Sequence, residues 1–437
     1  MTDIRLDRTF WPVGHGAFYT ERFYDHKDGR IFTAIYDCGS GRRWGKTQNG
    51  TNDASPKTVQ QMIEDFLPSQ KDSSGNLVKD IDIAFVSHLH VDHVNGLPTL
   101  LPRIKRLVLP QLTDCKLLEA YLYNAFSDNI DENNEINQEG TVDTESDVQQ
   151  FIIRLAQREL GDGISLIEVT ENEGEASETI DLEALNETIP GGTSCRVRLS
   201  QDIFWIYKPV NVDFSSDKCN EILEELLNYV ADNSLRGIDG KIDWHKVAEA
   251  VRKAGITKVV EIYKKVFDIT DKNSQLHNSY SMPVYSGPAA SLTAYWRGHA
   301  YMDIHMHDMF HCISYINIDV FCHPFYSMFG WRNKLLSCLY MGDFNTKDNK
   351  KFSQLQRILG EYYNIIGIQQ VPHHFSAGNH QPELYRGPLF AFGNISSKRD
   401  RSFKQKVYDD IHYFGCNPLC ITRNKGSLVR FNYDFYV

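Results

Sequence analysis

Long hydrophobic runs and paired cysteines are what this sequence most clearly lacks. No stretch of the 437 residues approaches the roughly 18 consecutive apolar positions of a membrane-spanning helix. The first five residues lack the basic and then apolar layout of a secretion signal. The nine cysteines have no paired motif spacing, which disfavours a disulfide framework and suits reduced thiols. We therefore expect a cytoplasmic protein without a membrane segment.

The chain also lacks an excess of positive charge: its 57 acidic residues outnumber the 46 lysines and arginines, and the formal net charge is −11. Such a balance disfavours nucleic acid as a partner, since phosphate contacts supply most of that affinity. The imbalance is local, however: residues 127–187 contain 18 acidic and two basic side chains. The rest of the chain has a small basic excess, so the total charge does not exclude a nucleic-acid partner.

The stretch richest in chemistry follows an apolar, strand-like run at residues 81–86. Four potential metal ligands stand there within six positions: His88, His90, Asp92 and His93. Imidazole nitrogens and carboxylate oxygens are the donors that zinc, manganese or iron accept. A tight loop at a strand end can direct the first two at one ion and the last two at another. The spacing predicts a dinuclear metal site.

Two later strand-like runs end in similar residues. The first ends in Asp343, and the second is followed by His373 and His374. Together with the His-x-His-x-Asp-His stretch, they resemble the metallo-β-lactamase superfamily of mostly dinuclear hydrolases. The histidine pair and an Asn-x-x-Ser stretch at 278–281 resemble its competence-type (ComEC-like) branch, although Phe375 replaces the usual glycine.

The resemblance implies an α/β fold, the metallo-β-lactamase αβ/βα four-layer sandwich. We expect a single domain of residues 1–437 with inserted segments. These are an acidic insertion at 127–187, a helical insertion at 212–270 and an aromatic, histidine-rich insertion at 291–333. Within the acidic insertion, the pattern predicts one helix at 148–160 and otherwise irregular chain.

The resemblance also implies the ligands of two divalent ions, zinc or manganese. They would be His88, His90, Asp92, His93, Asp343 and His374, with Asp343 bridging the ions. Paired ions lower the pKa of a shared water to about 7, which gives a nucleophile at neutral pH. Asp92 would also orient this hydroxide. Of His373 and His374, one would bind the second ion and the other would protonate the leaving oxygen or hold a substrate phosphate.

A third histidine for the first ion is absent from the comparable place, residues 207–209. By its order in the chain, His277 is a substitute. The missing ligand weakens the first site and favours manganese or loosely held zinc over a tightly caged pair.

Basic side chains give an indication of the substrate. Arg42, Arg43 and Lys46 lie on a glycine-rich loop, which suits phosphate recognition and equally suits a solvated loop. His15 stands in an earlier glycine-rich turn, as a substrate contact or as a hydrogen-bonded structural residue. With a basic stretch at 398–406, these features favour a phosphodiesterase or nuclease acting on nucleic acid, a nucleotide or another phosphorylated small molecule.

Two other functions stay open at this point. The aromatic segment 295–331, Phe375 and Trp44 would suit the apolar pocket of an esterase, thioesterase or lactonase that uses the same metals. The large insertions would suit a component of a multi-protein assembly, such as a bacterial defence system, with protein partners or as a homo-oligomer. The sequence does not choose among the three.

Overall fold

The computed structural model describes residues 3–40, 59–127, 142–172, 178–201, 203–212, 218–231, 234–267, 281–289, 300–304, 334, 336–395, 401–422 and 427–436. Their strands form one nine-stranded and one eight-stranded sheet. Among these residues, no helix combines the length and the apolar character that crossing a membrane requires. The seven cysteines within these ranges are all buried free thiols.

The first sheet has nine strands in the order β12-β17-β1-β2-β3-β4-β5-β6-β8. Their bounds are β1 (Asp3–Phe10), β2 (Phe18–Asp25), β3 (Ile31–Cys38), β4 (Ile83–Phe85), β5 (Arg106–Pro110), β6 (Ser165–Thr170), β8 (Thr188–Pro190), β12 (Ala300–Ile304) and β17 (Val429–Tyr436). The strands from β3 to β6 run parallel, so their carboxyl ends lie at one edge of the sheet.

The second sheet has eight strands in the order β16-β15-β14-β13-β11-β10-β9-β7. Their bounds are β7 (Thr179–Asp181), β9 (Ser194–Arg198), β10 (Phe204–Pro209), β11 (Val284–Pro288), β13 (Cys338–Tyr340), β14 (Ile368–Gln370), β15 (Phe390–Asn394) and β16 (Asn417–Ile421). The four strands from β13 to β16 are parallel, which again aligns their carboxyl ends.

Helices cover the outer faces of both sheets. Their bounds are α1 (Val59–Phe66), α2 (Val91–Val94), α3 (Leu97–Leu100), α4 (Asp114–Ser127), α5 (Asp147–Gln157), α6 (Cys219–Leu227), α7 (Trp244–Val266), α8 (Asn349–Leu359), α9 (Glu361–Asn364) and α10 (Arg401–Tyr413). Helix α7 is broken at Gly255, whose φ of 73° departs from helical geometry.

Three apolar clusters separate the layers. In the first, Leu107 and Leu109 of β5 pack against residues of α4 and α7. In the second, Val108 of the same strand faces the other way, towards Tyr340 of β13 between the two sheets. In the third, Leu339 of β13 packs against α8 and α10. This alternation along each strand follows from the two-residue period of β structure. The αβ/βα four-layer sandwich expected from the metallo-β-lactamase resemblance is confirmed.

The acidic stretch 127–187 contains more regular structure than its composition predicts. Helix α5 lies close to the predicted helix, but β6 and β7 are also present. Strand β6 joins the first sheet beside β5, with Ile167 and Val169 buried between the sheets. The high acidic content of the whole stretch hid the short alternation of buried and partly exposed residues in β6. The division into one domain with three insertions stays a prediction.

A charged pair is buried in the core between the sheets. Arg8 of β1 lies directly opposite Glu21 of β2, and its Nε donates to Oε1 of Glu21 at 2.7 Å. Three hydroxyl groups of the second sheet also donate to this carboxylate, those of Tyr207, Ser286 and Tyr340. The pair therefore links the two sheets through hydrogen bonds as well as apolar contact.

Removing one partner of this pair should destabilise the fold strongly. We expect Glu21→Ala to lower the free energy of unfolding by about 3–5 kcal/mol, because it leaves the Arg8 charge buried without its carboxylate. Asp7→Ala is the matched control, since Asp7 pairs with Arg5 on the same strand but at a partly exposed position. That change should cost at most about 1 kcal/mol. Urea unfolding of both variants gives the comparison, and equal losses would contradict it.

Candidate metal centre

The predicted ligands come together at the edge where parallel strands of both sheets end. The loop after β4 carries His88 and His90 into α2, and the loop after β14 carries His374. A backbone hydrogen bond joins the two sheets here, from Met282 N to Ser87 O at 2.9 Å. A second, from His373 N to Gly342 O at 3.1 Å, connects the loops after β14 and β13 within the second sheet.

Gly39 brings the end of β3 against the same loop. A Cβ at this position would lie 2.5 Å from the carbonyl carbon of Asp92 and 2.6 Å from the backbone nitrogen of His93. Such distances are below any van der Waals contact, so only glycine allows the β3 turn to lie this close. The backbone of α2 is thereby fixed relative to the first sheet.

Asp343 lies at the centre of one group of side chains. Its Oδ1 is 3.3 Å from Nε2 of His93 and 3.6 Å from Nε2 of His374. Its Oδ2 is 3.6 Å from Nε2 of His88 and 3.7 Å from Nε2 of His373. Each carboxylate oxygen thus faces its own pair of imidazoles.

Asp92 organises a neighbouring group. Its Oδ2 lies 3.1 Å from Nε2 of His374, 3.5 Å from Nε2 of His15 and 3.6 Å from Nε2 of His93. The ring of His15 is 4.1 Å from that of His374, and its side chain is 40% exposed. His15 is therefore the member of this group that solvent reaches most easily.

Contacts at the Nδ1 atoms orient the rings of two histidines, His88 and His93. The buried carboxylate of Asp37 lies 2.8 Å from Nδ1 of His93 and also accepts from the backbone and hydroxyl of Ser87, each at 2.7 Å. Nδ1 of His88 is 2.9 Å from the same Ser87 hydroxyl. Because Nδ1 is engaged in both rings, Nε2 is the nitrogen that each presents towards Asp343.

The charges of the centre are strongly coupled. Burial by itself raises the pKa of Asp92, but the imidazoles of His93 and His374 outweigh it and hold that pKa well below its ordinary value. Burial alone lowers the pKa of His93, yet the carboxylates of Asp343 and Asp92 outweigh it and raise that pKa well above its ordinary value. Burial and the neighbouring His93 lower the pKa of His88.

The donor atoms fit divalent metal ions. In the described part of the chain, two sets have ligand atoms all within 4.8 Å of one another: His88, His93 and Asp343, and His15, Asp92 and His374. Nε2 of His88 and Nε2 of His93 are buried, and neither has a hydrogen-bond partner among the described residues. A buried imidazole nitrogen without a partner is costly in a purely structural cluster and is expected where a cation binds.

His90 is oriented differently from the other predicted ligands. Its Nε2 lies 3.2 Å from Oε1 of Glu119 on α4, and its ring stacks on Tyr123 at 3.8 Å between centroids. The rings of His90 and His88 are 4.6 Å apart. His90 thus adjoins the cluster, while one of its nitrogens is committed to the helix layer.

Not all residues named from the sequence belong to the described part of the chain. Arg42, Arg43, Lys46 and His277 lie outside the described residues. His15, His88, Asp92, His93, Asp343, His373 and His374 are brought together. Sequence reasoning missed Asp37 and Glu119 as partners of this group. The Asp-Cys-Gly end of β3 was a usable signal for Asp37, whereas no local pattern marked Glu119 on α4.

The loop after β14 has an unusual backbone. His373, His374 and Phe375 have φ values of 48°, 52° and 67°, a left-handed region that residues with a Cβ rarely adopt. The Phe375 side chain is fully buried, and its ring stacks on Tyr408 at 5.2 Å. Burial of this ring therefore offsets the backbone cost at this position.

The chain is similar in structure to two ribonucleases at low sequence identity. No protein-family model and no curated protein matches it. It is similar to human tRNase Z, short form, at 17% identity over 47% of this chain and 60% of that one, with a TM-score of 0.22. It is also similar to a long-form RNase Z from yeast, at 9% identity over 90% of this chain and 36% of that one, with a TM-score of 0.30. The chain spans less than two thirds of either relative, and at these TM-scores neither likeness bears on its function.

Replacing Asp37 should weaken metal binding. We expect Asp37→Asn to lower the affinity of metal-stripped protein for zinc by about 10–100-fold, because His93 loses the carboxylate that orients its ring. Isothermal titration calorimetry with zinc measures the change. Asp25→Asn, at the far end of β2, removes another buried carboxylate and should leave the affinity unchanged. A similar loss in both variants would contradict the orienting role.

Replacing Phe375 by glycine should test how the loop is stabilised. The glycine removes a backbone cost of about 1–2 kcal/mol. Loss of the buried ring costs about 3–5 kcal/mol. We therefore expect Phe375→Gly to lower the free energy of unfolding by about 2 kcal/mol, the difference between these two effects. Chemical denaturation measures it, and a variant more stable than the wild type would show that backbone strain is the larger effect.

Proposed function

We propose that this protein is a metal-dependent hydrolase, and in particular a phosphodiesterase or nuclease. The observation that carries the proposal is the position of Asp343, whose two oxygens each face a separate pair of imidazoles. This arrangement supports two divalent ions that share one carboxylate. The same proposal includes the six metal ligands predicted from the sequence, membership of the competence-type branch, and zinc or manganese as the bound ions.

When bound, such ions supply a hydroxide at neutral pH and offset the negative charge that develops on the attacked group. The side chains of the protein do the remaining work. Asp92, held ionised by its imidazole neighbours, is placed to accept a hydrogen bond from the attacking water and to orient it. Nε2 of His374 lies 3.1 Å from Oδ2 of Asp92, so the two side chains are held together at the same place.

His373 and His15 are the histidines of the cluster that lie nearest to solvent. Their side chains are 17% and 40% exposed, whereas those of His88, His93 and His374 are at most 5% exposed. Substrate has to approach from the exposed side. We therefore assign His373 to protonation of the leaving oxygen and His15 to contact with the substrate.

The basic segment that follows Ser40 in the sequence favours an anionic substrate. The basic loop with Arg42, Arg43 and Lys46 begins directly after Ser40. The backbone nitrogen of Ser40 donates to Oδ1 of Asn95 at 3.0 Å, only two residues beyond His93. The segment that contains these cations therefore follows directly after a residue beside the metal motif, and cations suit the recognition of a phosphodiester.

Loss of the shared carboxylate should remove metal and activity together. We expect Asp343→Asn to bind less metal per chain than the wild type and to lose at least about 100-fold in hydrolysis of bis(p-nitrophenyl) phosphate, since both ions lose a ligand. Metal content is measured by mass spectrometry after reconstitution with zinc or manganese. DNA and RNA oligonucleotides and p-nitrophenyl acetate are tested in parallel. Ester hydrolysis without phosphodiester hydrolysis would overturn the substrate class.

His15 should separate substrate contact from metal binding. We expect His15→Ala to keep the metal content of the wild type and to reduce phosphodiester turnover by about 100-fold, because it removes a side chain that contacts the reacting group. His26→Ala is a matched control on an exposed turn of the same sheet. A fall in metal content in the His15 variant would instead make this residue a ligand.

A further inference from the structure

The helix layer outside the first sheet makes direct contact with the candidate metal centre through His90. Helix α4 carries three residues that contact the His90 segment: Glu119, Tyr123 and Asn124. None of them belongs to the ligand motifs. Their contacts converge on the one predicted ligand that is separated from the Asp343 group.

Asn124 fixes the backbone on both sides of His90. Its Oδ1 accepts from the backbone nitrogen of Val91, and its Nδ2 donates to the carbonyl of Leu89, both at 2.8 Å. Tyr123 stacks its ring on the imidazole with an interplanar angle of 12°. These contacts leave the imidazole little freedom and hold its Nε2 towards the helix layer.

Glu119 determines which nitrogen of His90 is available. A carboxylate accepts hydrogen bonds and cannot donate, so at 3.2 Å from Oε1 the Nε2 of His90 has to carry the proton. In the neutral imidazole, the lone pair is then on Nδ1. Both side chains are nearly inaccessible, with exposures of 4% for His90 and 3% for Glu119, so water does not compete for this bond.

Tyr263 of α7 holds the carboxylate from the other side. Its hydroxyl donates to Oε1 of Glu119 at 2.5 Å, and the ring is fully buried against Phe126 and Phe267. Tyr263 lies in the segment 212–270, for which the sequence indicated no part in the site. A chain of contacts thus runs from α7 through α4 to His90.

We propose that Glu119 is a positioning residue that prepares Nδ1 of His90 to bind the first metal ion, and that Tyr263 holds Glu119 in place. The inference rests on the metal centre of the proposed function, and it does not depend on the substrate. It explains how the first site can function without a third histidine, because an oriented and more basic His90 is a stronger ligand. The helices of segment 212–270 thereby contribute to metal affinity.

Zinc titration of the full-length protein tests this proposal. The protein is stripped with a chelator and titrated against a chromophoric competitor, which resolves the two binding steps. We expect Glu119→Gln to weaken one step by about 10–100-fold and to leave the other unchanged. Tyr263→Phe should weaken the same step to a smaller extent. The double variant should bind like Glu119→Gln alone, because Tyr263 acts through Glu119.

Tyr121→Phe is the matched control. It removes a hydroxyl from the same helix α4, but that hydroxyl faces the carbonyl of Thr144 and not His90. Its zinc affinity should equal that of the wild type. Thermal unfolding in the presence of chelator shows whether each variant is folded. If Glu119→Gln is unfolded, the zinc affinities of Tyr263→Phe and Tyr121→Phe are compared instead, and a weaker affinity in Tyr263→Phe alone supports the proposal.

The outcomes separate this inference from the proposed function. It is overturned if Glu119→Gln keeps both binding steps, if Tyr121→Phe weakens zinc as much as Tyr263→Phe, or if the wild type binds no zinc. A wild type that shows the expected zinc pattern but cleaves no phosphodiester would refute the proposed function and leave the role of Glu119 standing.

Discussion

The carboxylate of Asp343 lies between 3.3 and 3.7 Å from four imidazole nitrogens. Two of these histidines, His88 and His93, follow β4 in the first sheet, while Asp343 and the other two follow β13 and β14 in the second. The group therefore exists only when both sheets pack with these strand ends at the same edge. The core between the sheets, with its buried Arg8 and Glu21, stabilises that packing.

Two carboxylates outside the ligand motifs each hydrogen-bond to one ring nitrogen of a histidine in or beside the centre. Asp37 bonds Nδ1 of His93, and Glu119 bonds Nε2 of His90. The engaged nitrogen is Nδ1 in His93 and Nε2 in His90. In the proposed centre, Nε2 of His93 and Nδ1 of His90 are therefore left for a metal ion. Such partners orient a ligand and raise its basicity. Their locations differ, because Asp37 belongs to the first sheet and Glu119 to a helix packed outside it.

The sequence predicted those parts of the molecule that have a strong local pattern. The apolar run before His88 is a strand, and the resemblance of the motifs to metallo-β-lactamases anticipated the four-layer sandwich. Strand β6 was missed because its short alternation lies inside a strongly acidic stretch. Glu119 was missed as a site residue because no local pattern relates an acid on a helix to a histidine 29 positions earlier.

The sequence by itself determined which residues are available as ligands and that each group stands at a strand end. Only the tertiary structure decided which atoms meet. His374 and Asp92 are 282 residues apart, and Tyr263 and Glu119 are 144 apart, yet both pairs are hydrogen-bonded. Contacts of this kind depend on how sheets and helices stack. That stacking is set by apolar surface buried across the whole domain, which no short stretch of sequence encodes.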